Sequence, residues 1–205
     1  MLISLGPQAF ISPAPVLLVG TYDAEGRPNI MTAAWGGICC SQPPCLSVSL
    51  RKATWTSRSL QQRQAFTVSI PHRKMVGQAD FAGLVSGRHE DKFGTLGLTP
   101  QAGEHVDAPF VAECPVVLEL LLRHTHELGS HIQFIGEIMD VKVSRDCLTP
   151  EGLPDAGRID ALMFSPMSKE YYGMGEFIAR ASAIGKTIKR EAHLERHTDI
   201  PGDRK

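Results

Sequence analysis

Two cations and four hydroxyls crowd one short stretch of the chain: Arg51, Lys52, Thr54, Thr56, Ser57 and Ser59 in "SLRKATWTSRSL". The residues before them alternate, with Leu46, Val48 and Leu50 apolar and Ser47 and Ser49 polar, which is a strand pattern. The residues after them, Leu60-Gln61-Gln62-Arg63, favour a helix. A strand-to-helix corner built this way is either a capped, solvated turn or an anion site. A phosphate dianion needs cations, hydroxyl donors and free backbone N–H groups together, and the first turn of a helix supplies four such N–H groups and a favourable dipole.

A second unusual stretch is "GRPNIMTAAWGGICCSQPP", residues 26–44. Small residues surround Trp35, and Gly36-Gly37 leave backbone uncovered where a core strand would carry Val or Ile. Open backbone lets a flat ligand approach closely, although a tight sheet-on-helix contact gives the same composition. A third stretch, "SGRHEDKFGTLG", carries more polar chemistry than a connector needs, Lys92 included. His124, His126 and His131 flank a hairpin. Two histidines at i, i+2 on a strand can ligate a metal, but no carboxylate or cysteine pattern supports them, so His124 and His126 read as ordinary surface residues.

Several apparent motifs fail. "IGKT" at 184–187 has Arg180 where a phosphate loop needs its first glycine, and "GMG" at 173–175 has Ile178 where a dinucleotide fingerprint needs its third. His193 and His197 have helical metal-pair spacing, but Glu195 is out of register for a zinc protease and no apolar shell surrounds them. No Ser/His/Asp set has a local signature. Glu119 and Glu137 have no specific support as a glycosidase carboxylate pair.

The elements that must position these residues follow from periodicity and punctuation. Strands are expected at 16–22, 29–38, 45–51, 66–70, 115–127 and 131–145, with a short one at 161–165. Helices are expected at about 56–64, 73–84 and 176–190, a loop or short helix at 86–97, and a loop at 147–158. Leu118, Leu120 and Leu122 share a face; so do Ile132, Phe134 and Ile138, with Ile135, Met139, Val141 and Val143 opposite. Gly129 suggests a hairpin between the two long strands. Mostly hairpin-connected strands with short helices between them predict a mainly β protein, an antiparallel barrel, and not a parallel nucleotide-binding sheet.

Composition is that of an ordinary globular domain: 205 residues, 42% hydrophobic and 21% charged. A net charge of −1 argues against nucleic-acid or membrane-surface binding. No apolar run is long enough to span a bilayer, and three prolines and no basic n-region mark the first twenty residues, which disfavours a signal peptide. Five cysteines without C-x-x-C spacing predict reduced thiols and a cytoplasmic location. Residues 1–190 are expected to form one domain and 191–205 a polar tail.

Together, "GRPNIMTAAW", "SLRKATWTSRSL", "F-TVSIP" at 66–71 and "GRHEDKFG" at 87–94 resemble the flavin reductase-like family of FMN-binding split barrels, most closely its flavoredoxin-type members. The resemblance covers roughly residues 10–190. It implies a split antiparallel barrel holding FMN near a homodimer interface. By the same resemblance Asn29, Met31, Thr32 and Ala33 pass the flavin with Trp35 close by, and Arg51, Lys52, Thr54, Thr56 and Ser57 form the phosphate-binding turn. Lys92, His131 and Phe164 match positions beside the isoalloxazine, with Lys92 and His131 as candidates to stabilise charge on the reduced ring. The implied activity is NAD(P)H-dependent flavin reduction, with NADH or NADPH as donor and free flavin or a partner protein as acceptor. The alternative is an electron carrier that keeps FMN bound and exchanges electrons with a redox partner protein; a storage or sensing module is a third.

Overall fold

The computed structural model describes residues 1–186. Its strands are β1 (Ala14–Pro15), β2 (Leu17–Tyr22), β3 (Pro28–Ala33), β4 (Gly36–Ser41), β5 (Pro44–Arg51) and β6 (Ala65–Ile70). After them come β7 (Pro100–Ala102), β8 (Pro109–Val111), β9 (Val116–Leu128), β10 (His131–Val143), β11 (Met163–Ser165) and β12 (Glu170–Tyr172). The helices are α1 (Trp55–Arg63), α2 (Val76–Leu84), α3 (Lys92–Leu96) and α4 (Ala156–Ile159).

Seven antiparallel strands run in the order β3-β2-β6-β9-β10-β5-β4. Leu17, Val19, Val48, Leu50, Phe66, Val68, Leu118, Leu120 and Phe134 fill the interior of this curled sheet. A second core lies outside it, where Val16, Leu18 and Ile30 meet Ala79, Ala82 and Phe93 from α2 and α3. The run Val16-Leu17-Leu18-Val19 is apolar without alternation because β2 is covered on both faces. The mainly β, antiparallel split barrel read from the sequence is the fold observed.

Four expectations change in detail. The strand expected over 29–38 is two strands, broken at Ala34-Trp35, so that β4 pairs with β5 and not with β2. The face assignment along β10 fails past Ile138, because a bulge between Ile138 and Asp140 reverses the parity and turns Val143 inward. The loop expected at 147–158 begins on the last residue of a short 3₁₀ turn, Arg145–Cys147, and ends inside α4. The helix expected over 176–190 is absent through residue 184, where Ser182 takes φ of 60°, which no right-handed helix permits; among the described residues of that span, helical backbone begins at Gly185.

The chain divides into a unit of Met1–Met174, which holds all of these strands and helices, and a unit beginning at Gly175. Residues 187–190, the tail 191–205 and the His193–His197 pair lie outside the described residues. Among the described residues no helix is long and apolar enough to cross a membrane.

Candidate functional site

The corner after β5 folds as its residue types require. Thr54, in extended conformation, caps α1: its hydroxyl accepts from the Ser57 backbone N–H at 3.2 Å and donates to the Arg51 carbonyl at 2.9 Å. No acidic side chain occupies the first turn of α1, so no carboxylate of that turn neutralises the positive end of the helix. Behind that turn, the Ser57 hydroxyl and the Trp55 indole N–H are buried without a hydrogen-bond partner. Such donors carry a desolvation cost unless something outside the protein accepts from them.

The corner opens into a groove where the barrel fails to close. β3 and β5 approach each other but are not paired, since β3 ends one side of the sheet and β5 is followed by β4 on the other. Met31, Thr32, Ala33 and Trp35 form one wall, and Ser49, Leu50, Arg51 and His131 the other, around about 220 Å³. A hydrogen bond from Ser49 N–H to the Trp35 carbonyl, 2.7 Å, pins the walls at one end. The groove continues into about 240 Å³ between Met31, Arg51, Thr54, Thr56, Lys92 and the 83–87 turn. It ends between Lys52, Thr54, Trp55, Arg58, Ser86 and Arg88. No carboxylate lines any of these three sections. Among the described residues Arg51, Arg58 and Arg88 have no carboxylate partner, whereas Lys52 is paired with Glu127 at 2.6 Å. The result is a cationic end on a groove with a mostly uncharged wall.

A family model described as a flavin reductase like domain matches residues 11–163. The chain belongs to the flavin reductase like family. It is 58% identical to the solved flavoredoxin of Desulfovibrio vulgaris (Miyazaki F), covering 90% of this chain and 100% of that one with a TM-score of 0.87. A flavoredoxin from Methanosarcina acetivorans is 30% identical over 92% of this chain and 99% of its own, with a TM-score of 0.85. A curated protein of Archaeoglobus fulgidus is 31% identical over 115 residues, and the match spans 56% of this chain and 65% of that relative's length.

In this flavin reductase like chain most of the sequence-predicted site residues line the groove, and each has a distinct setting. Asn29 lies beneath it, its amide donating to the Thr56 hydroxyl at 2.9 Å while its carbonyl oxygen has no partner. Lys92 forms part of the floor and is only 2% exposed; its ammonium donates to the carbonyls of Ile30 (2.8 Å) and Ala82 (2.7 Å). Burial pushes its pKa down to about 8. Those two bonds tie α2 and α3 to β3, a structural duty the sequence did not suggest. Phe164 stands apart from the main groove, in an adjoining pocket of about 360 Å³ with Thr32, Asp80, Lys169 and Tyr171. There the Tyr171 hydroxyl donates to Asp80 at 3.0 Å, and burial together with that carboxylate pushes the phenol up to about 12.

Sequence reasoning missed Arg58, Ser86, Arg88, Asp80 and Tyr171. Arg58 sits one turn beyond the cap, its guanidinium 5.9 Å from the Trp55 ring centre; the N-terminal position on a helix facing a cation pair was the available signal. A larger cavity of about 500 Å³ lies beyond Asn29 and Gly87. It shares Arg88 with the groove, but Asp23, Glu90 and Asp91 also line it and Arg27 is paired with Asp23 at 2.8 Å, so it has the carboxylates that the groove lacks. Among the described residues no group of three or more His, Cys, Asp or Glu is arranged to hold a metal.

Proposed function

We propose that this chain binds FMN in the groove between β3 and β5 and works as a flavoredoxin-type electron carrier. The observation that carries the proposal is the corner at the start of α1, where buried donors without partners meet uncompensated cations. A phosphate group fits this donor set: the Trp55 indole and the first-turn N–H groups would donate with the partnerless Ser57 hydroxyl just behind them, and Arg51, Arg58 and Arg88 would supply charge. Thr54 and Thr56 orient the turn, and Asn29 holds Thr56. Bound FMN would supply the redox chemistry. Met31, Thr32, Ala33 and Trp35 would give the ring a close-packed wall, His131 would present an N–H donor from the opposite wall, and Lys92 would place its positive charge beneath the ring from the floor.

Isothermal titration with FMN and riboflavin tests the binding claim. FMN is expected to bind at least tenfold more tightly, since one charge-assisted hydrogen bond contributes about 1.5–3 kcal/mol and tenfold is about 1.4 kcal/mol. Equal affinities would remove the phosphate site from the account.

The 58% identity to a flavoredoxin over nearly the whole chain favours protein-to-protein electron transfer over nicotinamide oxidation. Stopped-flow mixing of the FMN-loaded protein with NADH, NADPH or a reduced ferredoxin separates the two. Bleaching by the protein donor alone supports the carrier. Rapid bleaching by either nicotinamide reinstates an NAD(P)H-dependent flavin reductase. The working assembly we propose is a homodimer.

A further inference from the structure

The β4–β5 hairpin carries a second feature, at the end remote from the groove. Cys40 stands directly opposite Cys45 in its ladder, next to the Ser41–Pro44 pair that closes the turn. Directly opposed residues in an antiparallel pair have Cα atoms about 4.5–5.5 Å apart and side chains on the same face. A disulfide requires a Cα separation of roughly 4.4–6.8 Å. The ladder therefore places the two Cα atoms within the range a disulfide needs, so that side-chain rotation could join the sulfurs without moving the backbone. Cys39 is the extra residue of the bulge between Ile38 and Cys40, and so has no cross-strand partner. All three thiols are free; Cys39 and Cys40 are exposed and Cys45 is buried.

We propose that Cys40 and Cys45 are a redox-active dithiol, oxidised to a cross-strand disulfide by low-molecular-weight disulfides. Access assigns the roles. Cys40, on the exposed edge strand, meets the reagent; Cys45 is shielded, and burial with the neighbouring thiols and Glu137 raises its pKa against the lowering effect of Arg123. The Cys40 thiolate attacks one sulfur of the reagent, breaking its S–S bond, forming a mixed disulfide on Cys40 and releasing one thiolate. Cys45 then loses its proton, and its sulfur attacks that of Cys40. The Cys40–Cys45 bond forms as the bond to the reagent breaks, releasing the second thiolate. Two protein thiols are oxidised and one disulfide is reduced to two thiols; the two protons end on the leaving thiolates.

The test uses the FMN-loaded protein, equilibrated with oxidised glutathione, alkylated and mapped by mass spectrometry. Alkylatable thiols are expected to fall from five to three. The chain should lose the mass of two hydrogens and carry no adduct, and dithiothreitol should restore it. Cys39→Ser should still form the bond, whereas Cys40→Ser and Cys45→Ala should not, with flavin absorbance confirming that each variant is folded. Retention of all five thiols, a glutathione adduct persisting on Cys40, or chain-to-chain cross-links through Cys39 or Cys40 would each overturn the proposal.

Discussion

Lys92 shows how one side chain answers to two demands. Its ammonium is buried at the cost of desolvation, yet it supplies hydrogen bonds to two carbonyls that would otherwise compete for solvent. The folded chain holds the amine at about 8 and the unfolded chain near 10.5, so between those values the unfolded state binds more protons. The penalty of the buried charge is therefore full below pH 8 and is relieved as pH rises. Urea unfolding of the wild type and of Lys92→Met at pH 7.5 and 9.5 measures this. The wild type should gain stability relative to the variant over that interval, by at most about 3 kcal/mol over two pH units at roughly 1.4 kcal/mol per unit. A difference that does not change with pH would mean that the amine is solvated in the folded state.

At the scale of elements, the start of α1 separates residues that hold the fold from residues that wait for a ligand. Thr54→Ala removes a cap and should cost about 0.5–2 kcal/mol in the ligand-free protein. Ser57→Ala removes a buried hydroxyl with no partner, so the ligand-free protein should melt no lower, while FMN binds about tenfold or more weakly. Thermal melts paired with FMN titrations test both, and a Ser57→Ala variant with lower melting temperature and unchanged affinity would show that Ser57 is a structural residue. Gly136 is a strictly structural counterpart: a Cβ there would lie 2.6 Å from the Phe66 ring and 2.9 Å from Leu120. Gly136→Ala should cost about 1–3 kcal/mol by overpacking, read as a lowered denaturation midpoint.

These elements also mark how far the sequence could be read. The walls at 29–35 and 51–57 were legible because one strand and one helix turn keep sequence neighbours together in space. The Ser86–Arg88 turn, Asp80 and Tyr171 join the site only through packing between elements distant in sequence, which local patterns do not encode. The β10 face assignment failed for a related reason: a bulge adds one residue without altering composition, and every side chain beyond it changes face. The helix expected from residue 176 does not form before Gly185, since a short helix draws most of its stability from tertiary packing that local sequence does not guarantee.

For the whole molecule, what the single chain leaves uncovered bears on how it works. Residues 1–13 have neither helix nor strand, and Leu2, Ile3, Leu5, Phe10 and Ile11 are each more than half exposed. The edge strand β4 adds Ile38, 65% exposed. Apolar surface of this extent on an arm marks a face that another molecule covers. A second copy is the partner always present, and a two-fold pair would let each arm be covered by its neighbour. Sedimentation equilibrium at micromolar concentration should therefore return twice the 22.3 kDa chain mass. Because the contact is apolar, added salt should not dissociate the pair. Deleting residues 2–11 should shift the species towards the chain mass, and Phe10→Asp should do so in part, while Ile38→Asp tests the edge strand separately. A wild-type monomer, or a dimer indifferent to all three changes, would mean that the arm and the edge strand serve another partner.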